Sequence, residues 1–494
     1  MIENDTSSSS SEITRRSAHG IKWVGMAEMA IRILQYGTTL ILARLMVAQD
    51  FGVWAVLLLF TQLAYVLFDF GFSSALIQHK QVSARHYNTT FVIYLSSALV
   101  YIVLVWLLAG PMAGFFKHPE IKPALRLLTV IFIFYAFNAI PRIRLQREMR
   151  FKRFSLIQIC GVFTNSAVTL TAAFQGFGFW SFVYGVIAEQ VVLTLFFNIF
   201  GWTSVRLAFD REAFKELWEY GVNVLATRIV GYLNNNIPGF LIGKLIGLDA
   251  LGYYNIAYQL VEFPVQRISK NVLRVMFPAF SKLQDRLSDY RQLYRQVVFY
   301  LGAVLTPMFV GLAMVAPFLV PVLYGPKWTP VVMPLQFLAL AGFSRSVWTT
   351  ISVVFLSMGQ PDKELKINVS LAVFLIPAVY FTAPLGLNAV VLVVSLLLLT
   401  FVIIGQFKAF SLIGASWPGV VRKFLPSLSG SLLFLAVYEL ALYLGLGRLH
   451  AVWVLLLTIM GSALIYIIFM FRYDPQLLSR LRSILKGGGD AKNN

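Results

Sequence analysis

The chain has 494 residues, of which 58% are hydrophobic and 13% charged, and its mean hydropathy is +0.74. No water-soluble globular protein of this size carries that balance, so the sequence reads as an all-α polytopic membrane protein. The formal charge of +19 needs an explanation, and the lone Cys160 excludes an intrachain disulfide or a cysteine-based metal centre.

Residues 1–20 are polar and Ser-rich, with no apolar core ahead of a cleavage site, and read as a cytoplasmic tail. Apolar runs follow at 21–43, 52–77, 89–109, 123–140, 154–173, 180–200 and 220–243. A second set lies at 251–277, 296–320, 331–357, 367–383, 389–406, 424–444 and 451–471, making about fourteen spans. The expected organisation is an N-lobe over 21–200, a cytoplasmic linker at 201–219 and a C-lobe over 220–410. Two more helices follow within 411–471, and then a basic cytoplasmic tail at 472–494.

With both termini inside, 27 of the 41 Lys and Arg residues fall on the cytoplasmic side and only 6 outside. That asymmetry is the positive-inside pattern, so the basic charge is topology and calls for no nucleic-acid partner. Shifting the sequence by 200 residues aligns RLMVAQDFGVWAV (44–56) with KLIGLDALGYYNI (244–256) without a gap. Two six-helix lobes of the same orientation are expected from such a repeat, with a cavity between them.

Charges inside spans are costly, about 2.5–3.5 kcal/mol each at a helix centre on insertion scales, and are expected to face a wet interior or each other. Lys22, Glu28, Arg32 and Gln35 lie on the first span and Asp69 on the second; Arg228 and Asn235 lie on the seventh. Glu262, Arg267 and Lys270 lie on the eighth and Arg345 on the tenth. Glu28, Arg32 and Gln35 recur at helical spacing, and the 200-residue shift sets Glu28 against Arg228 and Gln35 against Asn235. An i, i+4 ion pair between Glu28 and Arg32 is the plainer alternative, and Arg267, Lys270 and Arg274 share one helical face from which they can snorkel. The Asn234–Asn236 run either offers amides to sugar hydroxyls or marks unwinding near Pro238.

Asp69-Phe70-Gly71 matches a magnesium-binding tripeptide of protein kinases, but the glycine-rich and catalytic loops of that fold are missing from the sequence. Asp69 therefore reads as an intramembrane carboxylate: a helix-end partner, or a proton or cation site. GFLIGKLIG (239–247) is one residue short of a phosphate-binding loop and sits in a span, so it reads as close helix packing. No catalytic set, metal cluster or cofactor motif is evident.

LFDFGFSSALIQ (67–78), LQREMRFKR (145–153), ALGYYNIAYQL (250–260) and SMGQPDKELK (357–366) together resemble the Wzx-type lipid-linked oligosaccharide flippases of the multidrug/oligosaccharidyl-lipid/polysaccharide exporter superfamily. The resemblance implies a bacterial inner-membrane protein. Its task would be to move an undecaprenyl-diphosphate-linked sugar unit to the periplasmic leaflet by alternating access, in exopolysaccharide or lipopolysaccharide biosynthesis. Membrane lipid and other polysaccharide-assembly proteins are its expected partners. Candidate substrate-binding residues are then Lys22, Arg32, Gln35, Arg228, Asn235, Arg267, Lys270 and Arg345, with Glu28, Asp69 and Glu262 balancing charge or coupling an ion. A multidrug or cation antiporter of the same superfamily is the rival, but it should present a more acidic cavity. A membrane polymerase or glycosyltransferase of the same pathway would need a larger extramembrane domain.

Overall fold

In the computed structural model, residues 10–79, 82–201 and 205–416 are described, with isolated positions between 418 and 466. Fifteen α-helices and no strands occur among the described residues. The first eight are α1 (Ser10–Leu45), α2 (Ala48–Asp69), α3 (Phe72–Gln78), α4 (Ala84–Phe115), α5 (Ile121–Leu128), α6 (Val130–Arg147), α7 (Phe151–Phe174) and α8 (Trp180–Gly201). There follow α9 (Arg211–Leu245), α10 (Leu248–Pro264), α11 (Lys270–Lys282), α12 (Leu287–Tyr324), α13 (Val332–Ser357), α14 (Pro361–Thr382) and α15 (Leu387–Ile413). Nine helical segments among the described residues are long and apolar enough to cross a membrane, and the chain is a multi-pass membrane protein. The expected spans at 424–444 and 451–471 lie largely outside the described residues.

The chain divides into two compact units, Met1–Leu233 and Asn234–Asn494, with the division inside α9. In the first unit α7 packs along α8 and α1, and α6 packs on α8. Its aromatic core gathers Phe68, Phe72, Tyr94 and Phe132, all at most 2% exposed. In the second unit α13 is central, packed by α10, α12 and α15.

Helix ends follow from local chemistry. Asp50 opens α2 by accepting the Val47 N–H at 3.2 Å, and its other oxygen accepts the Phe179 N–H at 3.0 Å, tying the α7–α8 turn to this helix start. The boundary between α1 and α2, Leu45 to Ala48, and that between α9 and α10, Leu245 to Leu248, fall at the same spacing of 200 residues.

Three expected spans are not the simple helices that an apolar run suggests. The run 52–77 breaks after Asp69, where Phe70 (φ 43°) and Gly71 (φ 76°) take left-handed conformations that only the glycine adopts without strain. The run 123–140 is interrupted at Thr129, between α5 and α6. The run 251–277 contains a π-helical segment at Val265–Ser269, directly after Pro264, whose missing N–H interrupts the α ladder. The α-helical spacing that set Arg267, Lys270 and Arg274 on one face does not hold across it. By contrast α9 runs unbroken through Asn234–Asn236 and Pro238, so that asparagine run does not mark unwinding.

Close packing in the second unit is tightest at Gly342 of α13, where an added Cβ would lie 2.3 Å from Val261 and 2.5 Å from the Phe309 ring. Replacing Gly342 by Val should destabilise the protein by about 1–3 kcal/mol through overpacking. The check is its melting temperature in detergent: a clear fall is expected, and a wild-type value would show that α10, α12 and α13 do not meet this closely.

Candidate functional site

Two of the intramembrane carboxylates, Asp69 and Glu262, each pair with an arginine, one pair in each unit. In the first, Asp69 stands where α2 ends and α3 begins. Its Oδ1 accepts the Ser73 backbone N–H at 3.1 Å, the Ser73 hydroxyl and the Tyr94 hydroxyl at 2.6 Å. Its Oδ2 pairs with the Arg228 guanidinium from α9, which also donates to the Ser74 hydroxyl at 3.3 Å. The carboxylate therefore caps a helix start exposed by the break and neutralises an arginine brought from 159 residues away. Asp69 is buried, while the Arg228 side chain is 38% exposed.

In the second unit Arg345 of α13 donates to Glu262 at 2.7 Å, to the Tyr258 hydroxyl at 2.6 Å and to Asn235 of α9. Its guanidinium lies 5.1 Å from the centre of the Tyr258 ring. The other Glu262 oxygen accepts from Gln266, so both its oxygens are engaged. This network lines a cavity of about 180 Å³, walled by Tyr254, Tyr258, Trp348 and aliphatic side chains of α14 and α15. Asn234 donates to the Asn368 carbonyl at 3.1 Å, but its own side-chain oxygen is buried in this lining with no hydrogen-bond donor.

The remaining candidates lie elsewhere. Glu28, Arg32 and Gln35 share the exposed face of α1, where Arg32 donates to Gln35 at 3.0 Å. Arg267 is half-buried in the π segment. The side chains of Lys22 and Lys270 lie outside the described residues.

Sequence reasoning named Asp69 and Arg228 separately and did not join them, because the pair depends on how α9 passes the α2–α3 break. It missed Ser73, Tyr94, Tyr258 and Asn368. Tyr258 had a signal, since it lies four residues before Glu262 on the same face of α10, whereas Ser73 meets Asp69 only across the break between α2 and α3. Tyr94 and Asn368 belong to helices remote in sequence and had none.

The Asp69–Arg228 pair generates a direct test. Asp69→Asn should cost on the order of 2 kcal/mol by leaving a charged donor without its carboxylate, and the double variant with Arg228→Gln should cost less than the sum of the single changes. A double-mutant cycle on unfolding in detergent checks this; strictly additive losses would contradict the pairing.

A family model described as "Polysaccharide biosynthesis protein" matches residues 41–333. The chain is 27% identical over 373 residues to the lipopolysaccharide biosynthesis protein WzxC of Escherichia coli (strain K12), covering 74% of this chain and 75% of that one. It is 28% identical over 356 residues to the teichuronic acid biosynthesis protein TuaB of Bacillus subtilis (strain 168), covering 71% and 73%. Among solved structures, the lipid II flippase MurJ in its inward closed conformation matches with a TM-score of 0.75 at 15% identity, over 92% of this chain and 99% of that one. An inward-facing multidrug resistance transporter of the MATE family, in the MOP superfamily, matches with a TM-score of 0.56 at 17% identity, over 78% and 96%. These two likenesses are of fold. With the family match spanning more than half of its length, the chain belongs to the polysaccharide biosynthesis protein family.

Proposed function

We propose that the protein is a flippase, not an enzyme, that carries an undecaprenyl-diphosphate-linked oligosaccharide from the cytoplasmic to the periplasmic leaflet of a bacterial inner membrane by alternating access. Membership of the polysaccharide biosynthesis family carries this reading. The relatives' names point the same way, towards lipopolysaccharide and teichuronic acid biosynthesis and, in ExoT of Rhizobium meliloti (strain 1021), succinoglycan transport. Both termini are assigned to the cytoplasm on the distribution of Lys and Arg. The lobes are assigned to 21–200 and 220–410, with 411–471 as an additional helical pair.

The chemistry of the two clusters suits such a cargo. A diphosphate with attached sugars cannot enter hydrocarbon unaided, whereas its prenyl tail is at home there. Arg228 and Arg345 are planar forks that match phosphate oxygens, and each is paired with one carboxylate with which a phosphate would compete. Asn234, Asn235 and Trp348 offer amides and an aromatic face to sugar hydroxyls and rings. Glu28, Arg32, Gln35 and Arg267 are assigned to the same path, with Lys22 and Lys270 assigned on sequence position alone. About two negative charges moving outward, down an inside-negative potential of 100 mV, would gain ~5 kcal/mol, so ATP is not needed.

The cargo is identified by deleting the gene and analysing the lipid-linked saccharides that accumulate in the cytoplasmic leaflet. Restoring the gene should clear them. At matched membrane levels Arg228→Ala and Arg345→Ala should each lower polymer export by about tenfold, the loss of one charge-assisted hydrogen bond. Absence of an accumulated saccharide would overturn the flippase reading, and full export by both variants would remove these arginines from the path.

A further inference from the structure

A second group of titratable side chains sits apart from both clusters, where the α3–α4 connection meets the first turns of α9. His79 ends α3, His86 lies in the first turn of α4 and Glu216 in the second turn of α9. The His86 Nε2 lies 3.0 Å and the His79 Nε2 3.3 Å from the same oxygen, Oε2 of Glu216. All three atoms fall within 4.8 Å of one another. A tetrahedral ion with bonds of about 2.0–2.2 Å holds its ligand atoms about 3.3–3.6 Å apart, so the three donors stand close to the edges of such a site without rearrangement of the backbone.

We propose that His79, His86 and Glu216 form a binding site for a divalent first-row transition metal, zinc being the ion that best suits two imidazoles and one carboxylate with a fourth position open to solvent. The inference is independent of the flippase reading.

The surroundings order these donors as outer partners order metal ligands. Glu216 uses its other oxygen, Oε1, to accept from Arg85 at 3.1 Å, and Arg85 is held in turn by Glu212 at 3.2 Å. Oε2 is thereby turned towards the two imidazoles. His86 is buried, and its Nδ1 faces both the N–H of Ser83 at 3.2 Å and the Ser83 hydroxyl at 3.0 Å.

With Nε2 on the ion, the ring proton of His86 belongs on Nδ1, where the Ser83 hydroxyl at 3.0 Å is placed to accept it.

Backbone contacts already place the elements. Arg147 at the end of α6 donates to the His79 carbonyl at 2.8 Å and to that of Leu76. The approach to α9 docks on α4 through the Arg206 N–H to Asn88 at 2.8 Å and the Asp210 N–H to the Thr89 hydroxyl at 3.0 Å. An ion would therefore join α3, α4 and α9 at positions the fold has already brought together, and most of its binding energy would remain as affinity. His79 and Glu216 are partly exposed, which gives the ion an entry path.

The test is a Co²⁺ titration of the purified chain, free of any polyhistidine tag and treated beforehand with chelator. One equivalent should produce the visible absorption of four-coordinate Co²⁺ and be displaced by Zn²⁺. His79→Asn and Glu216→Gln should abolish the band, whereas Arg85→Gln, which removes no ligand, should keep it. Carbethoxylation of the wild-type protein, read by mass spectrometry, needs no variant to fold: one equivalent of Zn²⁺ should slow modification of His79 and leave His118 unchanged. No band with wild-type protein, a band that survives both ligand changes, or His79 unprotected by Zn²⁺ would each overturn the site.

Discussion

A charge inside hydrocarbon must be matched by the protein, and the ion pair between Asp69 and Arg228 does this at the point where the first unit can least tolerate a mismatch. The helix breaks at Phe70-Gly71, α3 starts with N–H groups that need acceptors, and α9 brings a guanidinium past the break. One carboxylate serves all three needs, with Tyr94 and Ser73 completing its coordination. Remove it and an arginine without its carboxylate and an uncapped helix appear together. The Arg345–Glu262 pair obeys the same rule in the second unit, reinforced by Tyr258 and Asn235.

These pairs also bear on how a transporter can use arginine. A lone guanidinium in a low-dielectric site would bind a phosphate too tightly to release it, and an arginine locked by two carboxylates would not bind at all. One carboxylate for each arginine is an intermediate arrangement between these two extremes. The orphaned Asn234 oxygen lies in the same lining as Arg345, so the second unit sets a charged group and an unmet neutral acceptor side by side. That pairing of functions is what a charged, sugar-bearing headgroup presents in reverse.

Much of the architecture was legible because hydrocarbon imposes simple rules. Apolar runs of sufficient length marked α4, α7, α8, α12, α13, α14 and α15 to within a few turns, and each intramembrane charge stood out against its neighbours. What escaped was everything decided by non-local packing or by a break hidden inside an apolar run. Hydropathy cannot distinguish Phe70-Gly71 as a break from the same residues in a straight span, and Pro264 does not by itself announce a π segment rather than a kink. Partners brought together over more than 80 residues, such as Arg345 with Glu262, have no periodicity to reveal them. The His79–His86–Glu216 group was invisible for the same reason: its histidines stand at the end of α3 and the start of α4, and its carboxylate arrives on α9.

The account rests on one claim above the others, that this chain by itself moves a lipid-linked diphosphate saccharide across a bilayer and draws on the membrane potential to do so. The measurement is the rate at which such a saccharide reaches the opposite leaflet of proteoliposomes containing only the purified chain, read by its accessibility to an impermeant sugar-modifying reagent. Flipping that proceeds without ATP, and slows when the potential is collapsed, is the predicted result. No flipping above protein-free vesicles, or flipping that appears only when ATP is added, would contradict it.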